Sequence, residues 1–230
     1  QLGWTWTRSD GVFDLAVHGG GRVGLSFERS GYLPVAREIA APSQDWARLE
    51  DVVMLGLDPE VTEITGGAGE MQVARGSVQT DADGSRRATM LFPPDLFAEM
   101  VLPDGTTVAL PALHVRATEY TVGDEGLRAM PANLPENSGY TYAAELSVDE
   151  AIAAGAVRVD FSEPIPVHVE NFLGFPVGEP VPAGSYDRQR GEWIAAKNGR
   201  ILEILSVTGG MADLDLDGSG VPADPAALAA

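Results

Sequence analysis

Residues 12–27, VFDLAVHGGGRVGLSF, decide the class of fold. Two short apolar runs, 12–17 and 23–27, flank three consecutive glycines. The second run alternates large apolar residues with small ones, which is the period of a strand that buries one face. Glycines between such runs favour a turn. The stretch therefore predicts two short β-strands joined by a glycine loop.

Short apolar runs of the same kind recur along the whole chain, separated by turns rich in Gly and Pro. They predict further strands at residues 4–7, 52–57, 71–78, 88–92, 113–120, 140–146, 157–161, 165–169, 193–195 and 201–204. One short helix is predicted after Ser147, with Ser147 as N-cap and Glu150 completing a capping box. The predicted fold class is mostly β, with two tandem β-sandwich-like domains, this one short helix and a C-terminal half EF-hand-like calcium loop.

The charge balance narrows the classes of partner. The 230 residues include 34 acidic and 15 basic ones, a formal net charge of −19, which argues against nucleic acid and anionic membrane surfaces. The chain contains no cysteine, so disulfides, thiolate nucleophiles and cysteine-ligated metals are excluded. No apolar run reaches the ~18 residues that a membrane-spanning helix needs. A soluble, acidic, cation-binding protein is the expectation.

The sharpest chemical signal is the acidic stretch 213–224, DLDLDGSGVPAD. Carboxylates at its positions 1, 3, 5 and 12, with glycine at position 6, have the spacing of an EF-hand-type loop. Calcium takes six to eight oxygen ligands, so side-chain oxygens, a backbone carbonyl and a water would all contribute. The predicted ligands are Asp213, Asp215, Asp217, Ser219 through its carbonyl, Val221 through water, and Asp224. The expected cofactor is Ca²⁺, and the alternative is a solvated acidic linker.

Other candidate sites are weaker. The stretch 81–84, DADG, resembles the start of a calcium loop but has no acidic residue at position 12, so a hairpin turn is favoured. His18, His114 and His168 are scattered and lack the spacing of a zinc site. No nucleophile elbow or phosphate loop occurs, and no catalytic residue is predicted.

Two kinds of side chain leave alternatives open. The carboxylate pairs Glu145 with Asp149 and Asp160 with Glu163 are what a glycosidase would use, although acidic residues are too abundant for such pairs to be specific. Aromatic residues could form a platform for stacking on sugars, or could pack in a core or against a neighbouring domain. These aromatic residues are Trp4, Trp6, Trp46, Trp193, Tyr140, Tyr142 and Tyr186.

Residues 7–15, TRSDGVFDL, and 27–34, FERSGYLP, carry a family resemblance. They resemble the carboxypeptidase-regulatory or transthyretin-like β-sandwich, in which a turn before G-x-F-x-L and a later K/R-x-G-Y recur. The resemblance implies a first domain over residues 1–64 that lacks its first strand or strands. The chain is then expected to be part of a longer polypeptide.

A second resemblance covers roughly residues 15–224. It looks like the region upstream of the repeats in large bacterial RHS/YD-repeat proteins, which are similar in organisation to teneurins. The motifs that carry it are residues 71–76, 116–123, 138–142, 169–178, 181–188, Trp193 and 198–200. It implies an immunoglobulin- or fibronectin-like plug over residues 71–206, followed by an acidic linker over 207–230.

Together, these resemblances imply a function without catalysis. The expected protein is a structural or plug module of a large bacterial RHS/YD-repeat protein, secreted or at the cell surface. Its expected partners are neighbouring domains of the same polypeptide, the YD-repeat shell among them, and a glycan or cell-surface protein is a further candidate. Calcium would rigidify the junction to the next domain. The alternative is a carbohydrate-binding or adhesion module that uses exposed aromatic residues.

Overall fold

The computed structural model describes residues 3–132, 139, 141–188, 190 and 192–228. The chain forms two compact units. The first comprises Gln1–Leu57 with Asp124–Asn133, and the second comprises Asp58–Gly123 with Leu134–Ala230. Strands are the main regular structure in both units, which confirms the mostly β prediction. Within the described residues, no helix is long and apolar enough to cross a membrane.

The strands and helices are numbered in chain order. The strands are β1 (Gly21–Phe27), β2 (Val35–Ala41), β3 (Thr62–Thr65), β4 (Gln72–Arg75), β5 (Gln79–Asp81), β6 (Gly84–Arg86), β7 (Ala88–Phe92), β8 (Ala98–Val101), β9 (Thr107–Leu110), β10 (Ala112–Glu119), β11 (Ala144–Val148), β12 (Arg158–Phe161), β13 (Val167–Val169), β14 (Pro180–Val181), β15 (Gly184–Asp187), β16 (Glu192–Ala195), β17 (Gly199–Arg200), β18 (Glu203–Thr208) and β19 (Met211–Asp215). The α-helices are α1 (Gly123–Gly126), α2 (Asp149–Ala154) and α3 (Pro225–Leu228), and a 3-10 helix spans Leu127–Ala129.

The first unit is built around the antiparallel pair β1–β2. The alternation in residues 23–27 is confirmed, because Val23, Leu25 and Phe27 are the half-buried positions of β1. Leu33 and Val35, which follow the turn after β1, are almost fully buried. The connection between the strands is held by a bond from the Leu33 N–H to the carbonyl of Leu55.

Three predicted strands of the first unit are wrong. Residues 4–7 and 12–17 have no regular structure, and 52–57 contains only an isolated bridge at Gly56. The physical reason is the lack of a ladder partner among the described residues, since a strand is stabilised by cross-strand pairing rather than by its own alternation. Trp4 and Trp6 therefore do not share a strand face.

The second unit contains three three-stranded sheets around one core. Their orders are β11–β10–β3, β12–β8–β9 and β13–β7–β4, all antiparallel. The core alternates along its strands, as one-sided burial requires. Its buried members are Ile64, Ala74, Ala88, Met90, Phe92, Leu96, Ala98, Leu110, Leu113, Val115, Ala117, Val148 and Ala151. Ala151 belongs to α2, which thus packs against this core.

Helix α2 was predicted correctly but its N-cap was not. The helix is followed by Gly155, whose left-handed φ of 63° ends it as expected. Its N-cap is Val148, and Ser147 lies in β11 opposite Arg116. Because Ser147 is held in β11 by pairing with Arg116, its hydroxyl makes no capping hydrogen bond to the helix.

The C-terminal part of the second unit consists of two-stranded ribbons. These are β14–β17, β15–β16 and β18–β19. Most of their residues are exposed. Tyr140, which began a predicted strand and belonged to the aromatic candidates, lies outside the described residues.

Hydrogen bonds of Asp58 connect the start of the second unit to its sheets. It is 5% exposed, and its carboxylate accepts bonds from the Ser77 N–H and hydroxyl. The Asp58 N–H donates to Thr118 on β10. Gly76 makes this close approach possible, because a Cβ there would lie 2.7 Å from the carbonyl oxygen of Ala117.

We expect Gly76→Ala to lower the free energy of unfolding by about 1–3 kcal/mol, because the added methyl has to displace backbone. Urea denaturation measures the loss. Gly69→Ala is the matched control, since a Cβ at Gly69 meets nothing within 4 Å. Equal stabilities of the two variants would contradict the close approach at Gly76.

Candidate functional site

The acidic C-terminal loop begins where β19 ends. Asp215, the last residue of β19, is 1% exposed. One of its oxygens accepts bonds from the N–H groups of Asp217 and Gly218, at 3.0 and 2.9 Å. The other accepts from the N–H of Gly220 at 2.7 Å. The chain thus folds around this single buried carboxylate.

These bonds keep the Asp215 carboxylate charged. The N–H of Asp217, followed by those of Gly220 and Gly218, lowers the pKa of Asp215 against the opposing effect of burial. A carboxylate that accepts several backbone N–H bonds is stabilised in its ionised form. Asp215 therefore holds a negative charge inside the loop at neutral pH.

The other predicted ligands have separate partners. Asp213 lies within β19 and binds the Ser206 hydroxyl on β18. Asp217 accepts a bond from the Ser219 N–H at 3.0 Å, and the Asp224 carboxylate accepts one from the Ala227 N–H of α3 at 2.8 Å. Val221 is 61% exposed. Across the described ranges, no three acidic or histidine side chains converge closely enough to hold a metal ion.

The loop rests on the segment that precedes β14. Gly178 has a left-handed φ of 91°, and a Cβ there would lie 3.0 Å from the Cα of Asp217. A Cβ on Gly218 would lie 3.2 Å from the carbonyl oxygen of Val177. Glycine at both places lets the two backbones approach closely, which fixes the position of the loop.

A buried arginine is the best-built charged cluster in the second unit. The Arg86 side chain is 1% exposed. It donates to both oxygens of Asp81 at 2.8 and 2.7 Å, to Glu119 at 2.7 Å and to the carbonyl of Thr121 at 2.7 Å. Its guanidinium also lies 4.4 Å from the centre of the Phe172 ring, a cation–π contact.

Residues 81–84, the weaker calcium-loop candidate, belong to the Arg86 cluster. This stretch forms the hairpin turn between β5 and β6. The bonds from Arg86 lower the pKa of Asp81 to about 2. Its carboxylate is thus a structural partner of arginine. The sequence signal for the cluster was slight, because two arginines after a turn do not reveal which of them is buried.

Three of the four carboxylates considered for catalysis are also bound by arginines. Asp149 forms a two-bond pair with Arg116, both bonds being 2.8 Å long. Glu145 binds Arg188 at 2.7 Å. Asp160 pairs with Arg158. The first pair links β10 to α2 and the second links β11 to the residue after β15, whereas Arg158 and Asp160 lie on the same strand, β12.

His114 contacts the helix that covers its sheet. Its Nδ1 lies 2.6 Å from a carboxylate oxygen of Glu150, and its backbone N–H donates to the other oxygen at 2.9 Å. The bond to Glu150 raises the pKa of His114, and the negative charges of Glu63 and Asp149 act in the same direction. His114 is therefore a charge-dependent link between β10 and α2.

The aromatic candidates fall into two groups. Tyr186 and Trp193 are cross-strand partners in β15–β16, with ring centres 5.4 Å apart. Trp4 and Trp6 are 66% and 78% exposed and meet edge to face at 5.5 Å. Trp46 is 86% exposed. The exposed tryptophans among the candidates thus lie in the first unit.

We expect Arg86→Leu to destabilise the protein by about 3–5 kcal/mol, because it leaves the buried Glu119 carboxylate without its cation. The double variant Arg86→Leu/Glu119→Leu should recover part of this loss, since no buried charge then remains unpaired. Arg158→Leu, which breaks an exposed pair, should cause no measurable loss. Denaturant unfolding checks all three, and a double variant no more stable than Arg86→Leu would contradict the cluster.

The His114–Glu150 contact predicts a pH dependence. The pKa of His114 is higher in the folded protein than its unfolded value near 6.5. Its stabilising contribution is therefore complete below about pH 6.5 and is lost as the pH rises through the folded pKa. Unfolding measured from pH 6 to 8.5 should show this decline, and Glu150→Gln should flatten it. An unchanged slope in Glu150→Gln would show that this pair is not its source.

Comparison with known proteins finds a family match within the first unit. Residues 1–54 match the family described as Teneurin TTR-like domain. Teneurin-m of Drosophila melanogaster is 44% identical over 52 residues, which make up 23% of this chain and 2% of that protein. No solved structure matches the chain. The N-terminal residues 1–54 are a teneurin-like transthyretin-type region, which confirms the resemblance inferred from residues 7–15 and 27–34.

Proposed function

We propose that the chain is a non-catalytic structural module of a large secreted or cell-surface protein of the RHS/YD-repeat kind. The observation that carries the proposal is the match of residues 1–54 to a teneurin transthyretin-like domain, which occurs as one part of a larger protein. Its partners would be neighbouring domains of the same polypeptide, including a YD-repeat shell.

The arginine pairs support a structural role. Arg86, Arg116 and Arg188 each hold a carboxylate at 2.7–2.8 Å and link segments distant in sequence. The bond from Arg116 lowers the pKa of Asp149, so this carboxylate stays ionised and is a poor general acid at neutral pH. Asp149 and Glu145, two of the carboxylates with the right chemistry for hydrolysis, thus serve in the scaffold.

Calcium at the C-terminal loop is the second part of the proposal. Asp215 contributes a charged carboxylate at the centre of the loop, and Asp217 and Ser219 follow it on the same turn. To bind the ion, the Asp213 carboxylate would have to give up its hydrogen bond from the Ser206 hydroxyl. The Asp224 carboxylate would likewise have to give up its bond from the Ala227 N–H. The carboxylates repel one another, so a divalent cation would stabilise the loop and stiffen the junction to the following domain.

We expect calcium to raise the melting temperature of the protein relative to the same protein in chelator, because a ligand that binds only the folded state stabilises it. Asp217→Asn should abolish the shift, since asparagine keeps the acceptor for Ser219 but lacks the charge. Asp213→Asn tests whether the ligand set extends into β19. Differential scanning calorimetry with a calcium titration measures each variant.

Asp104→Asn is the matched control for the calcium experiment. Asp104 also accepts a turn N–H, that of Thr106, at 2.9 Å, but it lies on a different hairpin. The Asp104→Asn variant should show the same calcium-induced rise in melting temperature as the wild type. A wild-type protein with the same melting temperature in calcium and in chelator would overturn the calcium proposal and leave the structural-module proposal standing.

A carbohydrate-binding or adhesion module is the second candidate. The observation that favours it is the exposure of Trp4, Trp6 and Trp46 in the first unit. The edge-to-face contact of Trp4 with Trp6 gives no flat two-ring platform, so any sugar would stack on a single ring. Glycan-array binding that Trp6→Ala removes would support this candidate, and an array without binding would dismiss it.

A further inference from the structure

The β18–β19 hairpin exposes apolar side chains that a sheet normally covers. Within the part of the chain that the structure describes, its two strands pair only with each other. Ile204 is 58% exposed and Val207 is 64% exposed. A two-stranded hairpin is at best marginally stable in water, and needs a third strand or a packed face. The hairpin therefore has the properties of a sheet that is completed by another segment.

A register shift gives the hairpin one apolar face and one mixed face, in which Met211 lies on the same side as Asp213. The shift falls between Ile204 and Ser206, so that Ile204 pairs with Leu214 while Val207 pairs with Ala212. Because residues two apart share a face, these four apolar residues lie on one side. The Ser206–Asp213 pair lies on the other side and is joined by its side-chain hydrogen bond.

The base of the hairpin is anchored and its distal half is open. At the base, the Gly178 N–H donates to Ile201 at 2.9 Å, and the Ala223 N–H donates to Leu214 at 2.7 Å. In the described ranges, residues 206–212 make no backbone hydrogen bond outside the hairpin. Unpaired N–H and C=O groups on such an edge are a template for an added strand.

The charge of the region indicates which strand would fit. Residues 201–230 contain five acidic side chains and no Lys or Arg. These are Glu203, Asp213, Asp215, Asp217 and Asp224. A positively charged segment is attracted to such a surface, whereas a second copy of the same acidic hairpin is repelled.

We propose that the distal half of the β18–β19 hairpin is a docking surface for a positively charged β-strand of another protein segment. The incoming strand pairs with an open edge of the hairpin. Its apolar side chains extend the face formed by Ile204 and Val207, and its Lys or Arg side chains lie beside Asp213 on the opposite face. An extended segment that alternates basic and apolar residues has this chemistry.

A labelled peptide of alternating lysine and valine tests the proposal by fluorescence anisotropy, in chelator so that calcium plays no part. The wild-type chain should bind it, and rising salt should weaken binding because it screens the charges. Peptides of alternating glutamate and valine, or lysine and serine, should bind at least about tenfold more weakly, since each lacks one of the two complementary features. Val207→Ser should weaken binding of the lysine–valine peptide to a similar degree.

Val108→Ser is the matched control, because Val108 is an exposed valine on β9 in the same unit. It should bind the lysine–valine peptide as tightly as the wild type does, and melting curves establish that both variants are folded. The proposal is overturned if the glutamate–valine peptide binds equally well, if the two variants behave alike, or if no peptide binds. Sedimentation that shows self-association lost in Val207→Ser would instead assign the surface to a second copy.

Discussion

The second unit depends on one buried charge, the guanidinium of Arg86. An unpaired charge in a protein interior costs several kcal/mol, so the fold must bring partners to it. Asp81 comes from the β5–β6 turn, Glu119 from the end of β10, and the Phe172 ring from the segment after β13. The arginine thus holds together three parts of the chain that are distant in sequence. The aliphatic core alone, being non-directional, would not specify their arrangement.

The position of the C-terminal loop follows from this cluster. Asn171, next to Phe172, closes a turn by bonding the backbone N–H and carbonyl of Phe175. The chain then reaches Gly178, which bonds to Ile201 and lies against Asp217. A continuous series of contacts therefore runs from the buried arginine to the acidic loop. The loop is a fixed part of the second unit, and its carboxylates are presented in a defined arrangement.

The sequence predicted the parts of this protein in which local pattern and tertiary partner agree. Alternation located β1 and β7 because both strands have a ladder partner and a face to bury. The apolar run at residues 12–17 forms no strand, because it has no ladder partner in the described chain. Ser147 has the chemistry of an N-cap, but the ladder with Arg116 took precedence over it. Which strands pair with each other depends on the whole fold and cannot be deduced from a local motif.

The candidate site, like the fold, could be predicted from the sequence only in part. The acidic spacing drew attention to residues 213–224, but which carboxylate lies at the centre depends on where β19 ends, and that residue is Asp215. Arginines neutralise carboxylates within the sheets, whereas residues 201–230 contain acidic side chains without any Lys or Arg. The negative charge of the last hairpin and its loop therefore has no basic side chain within residues 201–230 to balance it. The proposed cation and the proposed basic strand would each offset this charge, and both would bind the part of the second unit that the contacts from Arg86 to Gly178 hold in place.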